Sequence, residues 1–177
     1  MNENEIKEIA EKGELIQYIV IKIDDEQYGI NIKFIDNIVR MQQIPRVPQV
    51  DAFLKGVINI RGEIVPVMSV RMKMGLSEDV ITDASRIIIL KTEAGDLVGI
   101  IVDQVNQVLT LNEKDIEKVR YDDKKESSVS FVSGVGHFDG GLVSILDLDA
   151  VVSEKETKEK RLTLVDSEVC NGRHEFG

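Results

Sequence analysis

The chain has 177 residues, enough for one mid-sized domain or two small units that share an interface. Apolar residues make up 42% of it, but aromatics only 5% and Trp is absent, so any core must be built from Ile, Val and Leu, a β-branched excess that points to strands. Asp and Glu number 32 against 22 Lys and Arg, a formal net charge of −10 that argues against nucleic acid or an anionic membrane surface as a partner.

The single cysteine, Cys170, allows neither an intrachain disulfide nor a thiolate metal cluster, and fits a reducing compartment. Residues 1–14 are mostly polar and acidic, with only Ile6, Ile9 and Ala10 apolar after Met1. They are expected to form a flexible tail or a frayed helix, and they lack the apolar run of a signal peptide. No segment reaches the length of a membrane span. A cytoplasmic protein without direct membrane insertion is therefore expected.

Ile16–Ile23 reads as a strand, and Asp24 to Gln27 turn it into Tyr28–Ile32. Ile32, Ile35, Ile38 and Val39 fit a short helix or a bent strand. Pro45 and Pro48 interrupt regular structure. Gly56–Ile60 and Ile64–Val70 flank Arg61-Gly62, a two-residue hairpin signal in which Gly supplies a positive φ. Arg86–Leu90 and Leu97–Val102 repeat the theme, followed by a bend through Val105 and Val108. Asn112 is a candidate N-cap for a short helix reaching Val119. Tyr121 to Ser128 reads as polar loop. Phe131–Gly136 and Leu142–Asp147 flank a turn at Asp139-Gly140-Gly141, and Asp147 to Val152 could close with a helical turn. From Ser153 to Arg161 there is no apolar residue, so 153–177 is expected to be a second flexible tail. Leu162, Leu164 and Val165 within it could dock weakly. Short strands with tight turns indicate small barrels or a sandwich.

The strongest internal signal is self-similarity. Moved forward by 70, Ile16–Val39 lands on Arg86–Leu109 without a gap. Ile19 falls on Ile89, Val20 on Leu90, Gly29 on Gly99 and Ile30 on Ile100. Moved forward by 78, Phe53–Val70 lands on Phe131–Leu148. Gly56 then meets Gly134, Gly62 meets Gly140, and Val65 meets Val143. Two ungapped stretches in the same order imply two copies of one β unit, each about 70 residues long. A unit that small supports a modest core, so the copies should pack together as two pseudo-equivalent barrels with a groove between them. The apolar positions match while the turns differ, and Arg61 places a bulky cation at one hairpin tip.

No catalytic constellation is visible. His137 and His174 have no matching nucleophile motif, and zinc-ligand spacing is missing. Gly134, Gly136 and Gly140 have the wrong spacing for a dinucleotide loop and precede a strand rather than a helix. Asp24-Asp25-Glu26 and Asp147-Leu148-Asp149 lack calcium-loop spacing. No enzyme activity, cofactor or metal is expected.

The run Gly56-Val57-Ile58-Asn59-Ile60-Arg61-Gly62-Glu63-Ile64-Val65-Pro66-Val67 resembles the signature hairpin of the CheW family of chemotaxis coupling proteins. Tyr28-Gly29-Ile30-Asn31-Ile32, Val98 to Val105 and Leu142 to Asp147 also resemble it, in family order, from about Leu15 to Val152. The resemblance implies an all-β fold with a few short helices: two SH3-like five-stranded β-barrels related by internal duplication, spanning 15–152. It implies a non-enzymatic scaffold. Its partners would be the regulatory domain of the histidine kinase CheA, bound on one barrel surface, and the cytoplasmic tip of chemoreceptors, bound in the inter-barrel groove. Arg61 is the first candidate contact, flanked by Asn59 and Glu63, with Gly56 and Gly62 setting its backbone path. Ile35 and Val108, taken as equivalent positions of the two copies, are candidate core or interface residues. Where the family usually has Asp, this chain has Ser69. The alternative function is a sensor that takes a small molecule in the groove.

Overall fold

The hairpins foreseen from glycine turns all form. A computed structural model of the chain describes residues 2–5, 8, 13–119 and 131–152. The 121–128 loop, the 153–177 tail with Cys170, and much of the 1–14 segment lie outside these residues. In chain order the strands are β1 (Leu15–Ile23), β2 (Glu26–Asn31), β3 (Ile35–Arg40), β4 (Leu54–Ile60), β5 (Glu63–Ser69), β6 (Arg86–Lys91), β7 (Leu97–Val102), β8 (Gln104–Asn112), β9 (Ile116–Lys118), β10 (Val132–Phe138) and β11 (Gly141–Leu146). Two short helices follow β5 and β11: α1 (Val70–Lys73) and α2 (Leu148–Val152). The chain is thus all-β with few short helices.

Two local expectations shift. Ile32–Phe34 forms one 3-10 turn capped by Asn31, and β3 follows it, so this segment is a turn and a strand together. Asn112 does cap, accepting from Lys114 N at 3.0 Å, but the helix lasts only Glu113–Asp115. Ile116 to Lys118 then pair with β10 instead of continuing the helix, because sheet pairing with Gly134 to Gly136 takes their backbone groups.

The strands assemble into two sheets in the orders β8-β1-β2-β11-β10-β9 and β3-β6-β7-β5-β4. The expectation that each copy makes its own barrel is corrected here. The first hairpin of each copy, β1–β2 or β6–β7, has crossed to join the remaining strands of the other. Parallel pairs seal the exchange: β2 with β11, and β5 with β7. The sheet β3-β6-β7-β5-β4 has five strands, and the other gains a sixth in β9. The difference lies in Pro45. Its carbonyl accepts from Val57 N at 3.1 Å, but a proline has no N–H with which to extend the ladder.

Three apolar clusters result. Ile58, Val65, Val67, Ile87, Ile89 and Ile101 fill the five-stranded barrel. Tyr18, Val20, Leu111, Val143 and Ile145 fill the other. The third lies between the sheets and draws on both, with Ile19, Ile21, Ile23, Ile30, Met68, Ile88, Leu90, Ile100 and Leu146 among its buried members. It is the largest, so most of the expected groove is a packed seam. Each fully buried Ile, Val or Leu contributes about 1.5–3 kcal/mol, so the barrels stabilise each other.

β1 and β6 therefore have both faces buried, one inside a barrel and one in the seam. That explains the unbroken buried runs Tyr18–Ile21 and Ile87–Leu90. It also corrects the repeat. Val20 pairs with Gly29 and Ile89 with Gly99, so Val20 corresponds to Ile89, a shift of 69. Four residues separate Lys22 from Gln27, whereas five separate Lys91 from Leu97. The second hairpin turn is one residue longer. From β2 to β3 the shift of 70 holds: Ile35 faces Leu90 as Val105 faces Ile21, and Ile38 faces Ile88 as Val108 faces Ile19. Ile35 thus corresponds to Val105, and Val108 to Ile38; Ile35 and Val108 are not equivalent.

The shift of 78 is kept down to single hydrogen bonds. Ser69 N donates to Phe53 O at 2.7 Å, as Asp147 N does to Phe131 O at 2.8 Å. Ser69 Oγ accepts from Met72 N at 3.2 Å, and Asp147 Oδ1 from Ala150 N at 3.2 Å. Ser69 is a helix N-cap doing the same work as Asp147 in the other copy.

Candidate functional site

The β4–β5 ladder closes on Ile60 opposite Glu63, leaving Arg61 and Gly62 as a two-residue turn. Their φ values are +49° and +86°, the left-handed pair of a tight hairpin turn. Gly62 takes that conformation freely, and a Cβ there would meet nothing within 4 Å. Arg61 takes it at a cost, because L side chains are disfavoured at positive φ. Asn59 Oδ1 accepts from Gly62 N at 2.9 Å and stiffens the turn from beneath.

Asn59, Arg61, Gly62 and Glu63 are all exposed. Among the described residues the Arg61 guanidinium has no hydrogen-bond or ion-pair partner. Beside it Ile64 is 73% exposed. It sits on the outward face of β5, while Val65 and Val67 point inward. The tip thus presents an exposed cation on a stiff turn, next to bare apolar surface. Ile64 was missed in the sequence, although an apolar residue at an outward strand position is a legible signal. The same outward position in the other copy holds Leu142, 61% exposed.

Gly56 has a different role. It is buried at the base of β4 with φ +148°, and a Cβ there would lie 2.0 Å from Pro45 O. It lets the Pro45 strap lie directly on the hairpin. Gly134 does the same under Glu117 O, at 2.8 Å from the would-be Cβ. The remaining two sequence candidates are not gathered at the tip. Ile35 is half-buried against the seam cluster, and Val108 is 53% exposed on β8 of the other sheet.

A cleft of about 280 Å³ remains at one end of the seam, lined by Tyr18, Asn31, Phe34, Leu90, Glu93 and Asp149, among others. The opposite end is closed. There the 7% exposed Arg71, on α1, donates from Nη1 to Asp103 Oδ2 at 3.1 Å and from Nη2 to Asp24 Oδ1 at 3.3 Å. Nη2 also donates to Ser77 Oγ at 3.0 Å. Asp24 turns β1 into β2, and Asp103 joins β7 to β8, so the arginine staples the two sheets. Asp103 Oδ2 also accepts from Asp24 N at 2.7 Å. Burial, with Glu113 second, raises the Tyr18 phenol above its ordinary value of 10.0. Burial likewise raises Tyr28, aided by Glu26 and then Asp24.

Comparison with known proteins agrees with this architecture. The CheW-like domain matches residues 17–156. The chain is 34% identical over 140 residues to chemotaxis protein CheW of Bacillus subtilis, covering 79% of this chain and 88% of that one. It is 30% identical over 156 residues to chemotaxis protein CheW of Thermotoga maritima, covering 87% and 99%. The crystal structure of scaffolding protein TtCheW from Thermoanaerobacter tengcongensis superposes with a TM-score of 0.68 at 28% identity, over 76% of this chain and 90% of that one. The chain belongs to the CheW-like family.

Proposed function

We propose that this CheW-like chain is a chemotaxis scaffold without catalytic activity, which couples methyl-accepting chemoreceptors to the regulatory domain of the histidine kinase CheA. The observation that carries the reading is the β4–β5 tip: an unpartnered arginine, held at positive φ and stiffened by Asn59, beside an exposed isoleucine. Arginine is among the residues enriched at interface hot spots, and an exposed apolar neighbour can exclude water around it. The name of the TtCheW relative, a scaffolding protein, supports the same reading.

In this reading Arg61, Asn59 and Glu63 touch a partner, while Gly56 and Gly62 set the path of the hairpin. Ile35 and Val108 would add apolar contact on their own faces. The working unit is 15–152, with 1–14 and 153–177 as tails, in the cytoplasm and recruited to membrane-associated receptor arrays. A coupler biases the kinase only if its contacts differ between the on and off states, so a stiff support for Arg61 matters. The test is co-sedimentation of the Arg61→Ala chain with receptor-containing membranes, with and without CheA. Loss of recruitment in a folded variant supports the reading; full recruitment by both partners removes Arg61 from the site.

A second reading, a small-molecule sensor, is favoured by the 280 Å³ cleft beside Tyr18 and Phe34. Thermal-shift screening separates the two. Stabilisation by a metabolite favours the sensor, and stabilisation by a receptor tip favours the scaffold.

A further inference from the structure

The antiparallel register of β3 and β6 sets Arg40 directly opposite Arg86. Like charges facing each other across a ladder destabilise it. The chain has 32 acidic residues with which to relieve that repulsion, yet among the described residues neither arginine has an ion-pair partner. Arg40 is exposed, and its guanidinium makes no hydrogen bond among the described residues. Arg86 donates from Nη1 to Asp83 O at 2.7 Å and to Ser85 O at 2.8 Å. Those two bonds hold its guanidinium in place without neutralising it. Asp83 is among the residues lining the same cleft, and it meets Arg86 through its backbone carbonyl, with no ion pair to either arginine among the described residues.

The pair opens on a cleft of about 520 Å³, whose walls include Met41 and Ile81. Ile81 is 51% exposed, and Val80 beside it is 65% exposed. Two guanidiniums, one of them pre-positioned, with apolar shoulders, form a receptor for a carboxylate on a chain that also carries apolar groups. We infer that the Arg40–Arg86 pair docks a carboxylate side chain from an acidic segment of a partner protein, with Ile81 and Met41 packing against the residues beside it. A carboxylate set between the arginines turns a repulsive pair into two charge-assisted contacts. The site lies apart from the Arg61 tip and does not depend on the partners proposed above.

The test is an amide NMR titration of the full chain with a hexaglutamate peptide at constant ionic strength. Hexaglutamine and inorganic phosphate serve as comparisons. Saturable shifts are expected at Arg40, Met41, Ile81 and Arg86. Arg40→Ala should weaken the peptide by about tenfold, the loss of one charge-assisted contact. Its unfolding midpoint should be equal to or above that of the parent, because a repulsion has gone. A purely structural Arg40 would instead lower the midpoint. Absence of shifts at these residues, an unchanged affinity in Arg40→Ala, or phosphate binding as tightly as the peptide would each overturn the proposal.

Discussion

Arg71 and Asp149 occupy the same place in the two copies, two residues past the N-cap of α1 and of α2, and they carry opposite charges. Arg71 reaches Asp24 and Asp103 and shuts its end of the seam. Asp149 borders the cleft at the other end. The position matching Asp24 there is Glu93, and the one matching Asp103 is Lys33, whose ammonium lies 4.8 Å over the Phe34 ring. Two positions, Arg71/Asp149 and Asp103/Lys33, carry opposite signs in the two copies; an ion-pair latch closes one end, while at the other Lys33 stacks on Phe34 and the cleft stays open.

The latch should add measurably to the junction, on top of the larger apolar contribution of the seam. Arg71→Ala leaves Asp103, with 20% of its side chain exposed, without its cation. The expected cost is about 3 kcal/mol, the low end for breaking a buried pair, because the Asp24 side chain is 50% exposed. Urea unfolding of the variant measures it. A loss below about 1 kcal/mol, the range of a surface pair, would show that the staple does not hold the sheets.

The turn arginine is held against its backbone preference. Arg61→Gly should therefore raise stability by roughly 0.5–1 kcal/mol, the cost of a non-glycine residue in the left-handed region less the added chain entropy of glycine. The same variant should lose partner recruitment as Arg61→Ala does. A thermal melt beside a pulldown reads both. A lower melting point in Arg61→Gly would mean that the guanidinium has a stabilising partner within the chain.

The two hairpin glycines should respond differently to alanine. Gly62→Ala meets open space and suffers only from φ +86°, so about 1 kcal/mol is expected. Gly56→Ala drives a methyl to 2.0 Å from Pro45 O, and the strap must lift off the hairpin. Roughly 3 kcal/mol or more should be lost, the scale of an overpacked core. Chemical denaturation of both variants gives the order, and equal losses would contradict the strap contact.

Alkaline unfolding should report on Tyr18. Its folded pKa lies above the ordinary 10.0, so as pH rises past that value the unfolded chain gives up its phenolic proton first. The unfolded state then binds fewer protons than the native one, and stability falls with pH. Well below pH 10 both states keep the phenolic proton and this group adds no slope. Tyr18→Phe should flatten the alkaline limb of a stability–pH curve. An unchanged limb would assign the loss to Tyr28, raised in the same direction.

Much of this was legible in the residues. The shift of 78 from Phe53–Val70 to Phe131–Leu148 survives as matching caps, matching backbone bonds and matching close approaches at Gly56 and Gly134, because hairpins are local. The turn Arg61-Gly62 was readable for the same reason, and so was the family. Ile64 could have been found from strand alternation.

Partnership and face were settled only in three dimensions. Nothing local tells the β1–β2 hairpin to pair with β8 and β11 of the other copy, since an exposed strand edge offers the same N–H and C=O groups to any neighbour. The one-residue slip between Val20 and Ile89 was hidden because both faces of β1 and β6 are buried. A strand with apolar residues at every position has no alternation to mark its register, so the sequence specified that these residues are inside, and packing against two cores at once decided which way each one points.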